Sequence, residues 1–234
     1  MAKGVALITG AGSRLGAALA VALGERGYAV AVHYGSNATG ASEVVAKIEA
    51  SGARAVAMQA DLNDVGAPQR LKERIVREFG GLDLLVNNAS YWSTPERIEG
   101  DAGLLEESLE GWERTMAIDL RAPFFLMQAF APLLEAASDG LIVNVLDRSV
   151  SKPFLKRVSH SIAKGALANA TLIAAETLKG RVRVNGIEFG DLLAPETMPE
   201  VVRGKRMWAG AQTFVDAVLT LVDDQSRHGV IERV

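Results

Sequence analysis

Residues 6–16 read Ala-Leu-Ile-Thr-Gly-Ala-Gly-Ser-Arg-Leu-Gly, and the helix-forming run AALAVALGE follows at once. An apolar segment therefore ends in a glycine-rich turn that opens a helix. Gly10, Gly12 and Gly16 allow a tight turn and let the backbone approach a pyrophosphate closely. The helix N-terminus then adds unpaired N–H groups and a partial positive charge. The spacing is not G-x-G-x-x-G, because position 15 is Leu. A glycine-rich turn alone also suits simple packing. Its place between a strand and a long helix points to a nucleotide, with Gly10, Ser13, Arg14 and Leu15 on the phosphate side.

The same alternation runs along the chain. Short apolar, β-branched segments at 4–9, 28–34, 53–59, 82–87, 141–146, 181–187 and 230–234 read as strands. Amphipathic stretches near 14–26, 40–51, 65–79, 111–136, 159–178 and 209–223 read as helices. The strands are continuous apolar runs, as expected when both faces of a sheet are covered. Strands separated by helices imply right-handed crossovers and a parallel sheet. No linker, repeat or low-complexity tract divides the chain, so one doubly wound α/β domain over 1–234 is expected. Ligands of such sheets bind beyond the carboxyl ends of the strands. TGAGSRLG, HYGSN, ADLND, NNASYW, DRSV and EFGDLL each follow a strand and would gather on one rim.

Composition narrows the function classes. A hydrophobic share of 49% fits a full core, and a net charge of −3 gives no broad grip on nucleic acid or an anionic membrane. There are no cysteines, which excludes disulfides and thiol chemistry. No separate signal core is seen, and no apolar run approaches the roughly 20 residues of a membrane span. A cytoplasmic protein acting on a small molecule is expected. No His, Asp and Glu cluster has metal-ligand spacing, so no metal is predicted. His228 sits in a polar turn and reads as solvated.

The second strand bears on the choice of nucleotide. NAD sites usually place an acid after it to accept from the ribose 2′-hydroxyl. Nothing from Arg26 to Ser42 is acidic; the loop offers His33, Tyr34, Ser36 and Asn37 instead. Arg14 opposes the helix dipole unless it faces solvent or an anion lies nearby. Together these favour a 2′-phosphate, hence NADP(H).

The motifs TGAGSRLG, ADLND, LDLLVNNAS and VRVNGIEFG, with His160 four residues before Lys164, resemble the short-chain dehydrogenase/reductase superfamily over nearly the whole chain. The likeness is strongest to pteridine reductases, in the arginine of the turn, the HY ending of the second strand, NNAS, and Asp147 after the fifth strand. The resemblance implies a Rossmann fold of about seven strands and NADPH-dependent reduction of a pterin or a carbonyl compound. It places Asp61, Leu62, Asn88, Ala89 and Ser90 against the adenosine and ribose. It puts Lys164 on the nicotinamide ribose and Gly190 at the cofactor's edge. Family members commonly pair through the helices near 111–136 and 159–178, which implies a homodimer or homotetramer.

Three positions depart from the family pattern. His160 stands where the family has its proton-donating tyrosine, and Asp119 where it has an asparagine. The segment after Gly190 is short, leaving Met207 and Trp208 to close the site or to meet another subunit. Imidazole titrates near neutrality, so His160 can serve as a general acid, its pKa lowered by a nearby cation and raised by Asp147. It can equally fill the tyrosine's space in a protein that binds its cofactor without turnover. Asp119 can bond the backbone, pair with Lys164, or be structural. Asp147 can contact substrate, orient His160 or serve a turn. Tyr91 and Trp92 can stack on a planar substrate or pack on a neighbouring loop. An alcohol or sugar dehydrogenase working in the oxidative direction is a third possibility.

Overall fold

The computed structural model describes residues 2–91, 103–190, 192 and 209–234. Within them, β1 (Gly4–Ile8), α1 (Arg14–Glu25), β2 (Tyr28–Tyr34), α2 (Ala38–Ala50), β3 (Ala55–Gln59), α3 (Ala67–Phe79) and β4 (Leu84–Asn87) alternate as the apolar pattern predicts. Next come α4 (Leu109–Met116), a π-helical turn (Ala117–Arg121), α5 (Ala122–Glu135), β5 (Leu141–Asp147), α6 (Val158–Leu178), β6 (Arg183–Phe189), α7 (Ala211–Asp223) and β7 (Ile231–Arg233). Trp92, Met207 and Trp208 lie outside the described residues.

The seven strands form one parallel sheet in the order β3-β2-β1-β4-β5-β6-β7. The chain leaves β1 toward β2 and later returns to β1's other side with β4, so the order reverses there. Val30 and Val32 of β2 face one apolar layer with α1, α2 and α7, while Ala31 faces the other with α3, α5 and α6. Successive residues of one strand thus enter opposite cores.

Boundaries move where turn chemistry outweighs hydropathy. The sixth strand starts at Arg183 rather than 181, because the N–H groups of Arg181 and Val182 both bond Leu178 O and close α6. The third and fourth strands also start two residues later than their apolar runs. His228 is half-buried rather than solvated: its Nδ1 accepts from Val184 N at 3.3 Å. The helical stretch Leu109–Glu135 is long and apolar enough to cross a membrane by length and composition. That corrects the reading that no segment approaches such a span. Here one side of it packs on the sheet through Leu126, Phe130 and Leu134, all fully buried.

Its π turn has a local cause. Pro123 has no N–H to offer the carbonyl of Asp119, so the regular i→i−4 ladder fails there and the turn widens. Phe130, wholly buried on the next turns, anchors α5 to the sheet. Phe130→Ala is expected to cost about 3–5 kcal/mol through lost burial and a cavity, read as a fall in the urea midpoint. A change under ~1 kcal/mol would show that the core collapses around the gap.

Candidate active site

Four loops meet at the β1/β4 divergence. Thr9 joins two of them: its hydroxyl oxygen accepts from the N–H groups of Asn88 and Ala89, both at 2.9 Å. Asn88 Nδ2 donates back to Thr9 O at 2.7 Å. The two loops touch so closely that a Cβ on Gly10 would stand 2.9 Å from Ala89 Cα, and Gly10 has φ +65°. Glycine is required there on both counts. Gly16 is equally confined, since a Cβ would lie 2.5 Å from Gly10 O.

The phosphate-side candidates separate into two groups. Ser13 and Arg14 are exposed at the start of α1, and Leu15 is half-buried behind them. Arg14 has φ 53° and Arg157, just before α6, has φ 64°; they are the two non-glycine residues with positive φ among those described. Both sit at the N-terminus of a helix on this rim. Tyr34 is half-buried and Ser36 exposed at the end of β2, on the rim as expected. His33 is not on the rim. It is 2% exposed and bonds inward to Gly10 N and Ala60 O. Asp61 is exposed and turns its own loop by accepting from Asn63 N, while Leu62 is buried. Gly190 is tied to the last strand through Val234 O.

On the first turn of α6 the ring of His160 meets two carboxylates. Nδ1 lies 2.8 Å from Asp119 Oδ2 and Nε2 lies 2.5 Å from Asp147 Oδ2. An imidazole with a carboxylate at each nitrogen donates from both only as the imidazolium. Burial works to lower the pKa of His160, but the bonds to Asp119 and Asp147, and their charges, outweigh it and raise it above 6.5. For Asp147 burial works upward. It is outweighed by the bond and charge of His160, the charge of Lys164 and the bond from Ser149, which hold the carboxyl well below its ordinary range. The ring of Phe154 stacks parallel to the imidazole at 6.4 Å.

Among the described residues Asp119 has three donors. It accepts from His160, from Tyr91 N at 2.6 Å and from Ser90 Oγ at 3.0 Å. Of the two bonding roles expected, the backbone one is found and the pairing with Lys164 is not. Lys164 is 3% exposed and donates to Val145 O at 2.8 Å. The Tyr91 ring lies under the guanidinium of Arg114 at 4.9 Å. That ring is thus held by α4.

Sequence reasoning missed Thr9, Ser149 and Glu188. Ser149 bonds Asp147 through its N–H and its hydroxyl. Glu188, buried at the end of β6, accepts from Ser151 and from Arg233. The available signal was an acid inside the apolar run of that strand.

Residues 4–202 match the family model for short chain dehydrogenases. The chain belongs to the short-chain dehydrogenase family. This short-chain dehydrogenase is 35% identical to an uncharacterized oxidoreductase of Methylorubrum extorquens, over 89% of this chain and 82% of that protein. It is 33% identical to pteridine reductase 1 of Leishmania tarentolae, over 83% of this chain and 78% of that protein. Relatives with other activities lie at similar identity, so the pteridine reductases are one similar group among several. The angucycline C-6 ketoreductase LanV with bound NADP superposes with a TM-score of 0.86 at 30% identity, over 99% of this chain and 94% of that one.

His33 and His160 carry opposite pH signatures. Burial drives the His33 pKa down to about 4, only partly opposed by its bond to Ala60. A group depressed on folding contributes stability that is whole above its unfolded value, 6.5, and lost as pH falls toward about 4. The loss from this residue is on the order of 3 kcal/mol. His33→Gln removes that titration and should flatten the fall in stability between pH 6.5 and 4, followed by denaturation at stepped pH. An unchanged slope would mean that His33 is not buried neutral.

Proposed function

We propose that this short-chain dehydrogenase is an NADPH-dependent reductase. It transfers hydride to a C=N or C=O group of a small, planar substrate of the pterin or ketone type. The observation carrying this reading is the proton-bearing ring of His160 held between two carboxylates on the rim beside the glycine turn. The turn suits a pyrophosphate: Gly10 and Gly16 leave no room for a Cβ, and Ser13 supplies no side-chain cap to the start of α1. Arg14 and Ser36 are the residues we assign to the 2′-phosphate. Asn88, Ala89 and Asp61 line the adenosine side, and Lys164 the nicotinamide ribose. The NADP bound to LanV supports the choice of cofactor.

When bound, NADPH supplies the hydride. The chain's own residues supply the proton. It rests on His160 Nε2, bonded to Asp147 while Asp119 bonds Nδ1, and passes along the bond to Asp147, the more exposed of the two carboxyls. From Asp147 it reaches the nitrogen or oxygen left electron-rich by hydride addition. His160 is left neutral and is recharged from solvent. Asp119 stays ionised throughout and fixes the ring, and Ser149 fixes the Asp147 carboxyl. His160 thus does the work that the family resemblance gives to a tyrosine.

One observation favours a second reading, a cofactor binder without turnover: both ring nitrogens are already occupied and the ring is 4% exposed. NADPH consumption with dihydropterins, quinones and simple carbonyls separates the two. A reductase should turn over at least one class and favour NADPH over NADH. Activity should be present below pH 6.5 and fall as pH rises through the raised midpoint of His160, since the acid form is required. Asp119→Asn should move that limb to lower pH, and His160→Ala should cut kcat about 100-fold or more. Tight NADPH binding with no consumption across the panel would establish the binder.

We further infer a homodimer or homotetramer built on α5 and α6, whose outer faces expose Phe124, Phe125, Ile162, Leu172 and Ile173. Light scattering at micromolar concentration should give a multiple of the chain mass. A monomer mass would reject the assembly.

A further inference from the structure

Three successive N–H groups of the glycine turn face into the protein. Thr9 N bonds Val86 O at 3.0 Å, and Ala11 N bonds the backbone carbonyl of His33 at 2.8 Å. Between them, Gly10 N donates to His33 Nδ1 at 3.1 Å. One residue of β2 therefore receives two neighbouring amides, one on its side chain and one on its backbone. The far ring nitrogen fixes how it can do so. His33 Nε2 lies 3.1 Å from Ala60 O, and a carbonyl only accepts, so Nε2 carries the hydrogen and Nδ1 keeps its lone pair. Burial keeps water from competing for either bond.

We propose that His33 is a positioning residue for the nucleotide: by holding Gly10 and Ala11 inward, it aims the turn from Gly12 onward at the pyrophosphate. This rests on the nucleotide-binding reading above, and His33 itself needs no contact with the nucleotide. The grip has a counterpart across the turn. Asn37 Nδ2 donates to Gly12 O at 3.0 Å while its Oδ1 accepts from Gly40 N and caps α2. The turn is thus held at Gly10 and Ala11 by His33 of β2 and at Gly12 by Asn37, at the start of α2. Little room exists at Gly10: a Cβ there would stand 2.9 Å from Ala89 Cα, and one on Gly16 would stand 2.5 Å from Gly10 O.

Two near-isosteric variants separate hydrogen bonding from packing. In His33→Asn the side-chain oxygen takes the place of Nδ1 and can still accept from Gly10, while the bond to Ala60 is lost. In His33→Gln the longer amide can still donate to Ala60, while the acceptor for Gly10 is lost. Both remove the ring. NADPH affinity should stay within about threefold of the parent in the first and weaken about tenfold in the second, the scale of one lost hydrogen bond at a binding loop. The loss should appear in KM for NADPH with little change in kcat. Equal affinities in both variants, whether both native or both weakened, would overturn the proposal.

Nitrogen NMR on the unaltered protein supplies a test that needs no variant. At pH 7 His33 should show Nε2 protonated and Nδ1 bare. An Nδ1-protonated ring or an imidazolium would overturn the proposal as well. If the unaltered protein bound no NADPH, the function proposed above would fail, and the tautomer would still decide whether His33 holds the turn.

Discussion

The pairing of β1 with β4 is the constraint from which the functional rim follows. Their parallel register sets Ile8 beside Val86, so both strands end at the same height and their loops must diverge from one point. Backbone groups leaving a sheet lose their ladder partners, and buried ones must find others. Thr9 answers this with one hydroxyl that takes two N–H groups from the opposite loop. Asn88 and Ala89 are fixed by Thr9, and the next two residues, Ser90 and Tyr91, bond the widened turn that carries Asp119. The position of that carboxylate follows from strand pairing.

Asp119 then shapes the electrostatics. Asp119, Asp147, His160 and Lys164 are all buried, two negative when ionised and two positive when protonated. Isolated, each charge would be costly to desolvate. Together they balance, and the imidazolium is the form that satisfies both carboxylates at once. A proton held this way in a dry site is more useful than one on a solvated histidine, because the surrounding dipoles are already oriented. The same arrangement accounts for the opposite directions of the two shifts, with the carboxyl of Asp147 driven down and the ring of His160 driven up.

The two buried histidines show how neighbours alone set opposite states. His160 meets two anions and is held charged. His33 meets an N–H and a carbonyl, which are satisfied only by a neutral ring, and burial does the rest. One is bonded by two carboxylates, and the other joins the glycine turn to the loop after β3.

The sequence by itself determined the alternation of strands and helices, the parallel sheet, the glycine turn after the first strand and the loops that share a rim. These follow from hydropathy period and glycine placement, which are local properties of the chain. It also marked Asp147, His160 and Lys164 as belonging together, through position after a strand and spacing on one helix. Only the tertiary structure decided that Asp119 bonds His160 and the loop after β4 rather than Lys164. Only it showed that His33 turns inward, that Arg114 covers Tyr91, and that Thr9, Ser149 and Glu188 hold the rim. The reason is common to all of them. A polar side chain takes the partner that folding brings within about 3 Å, and that partner is set by strand register and helix packing across dozens of residues.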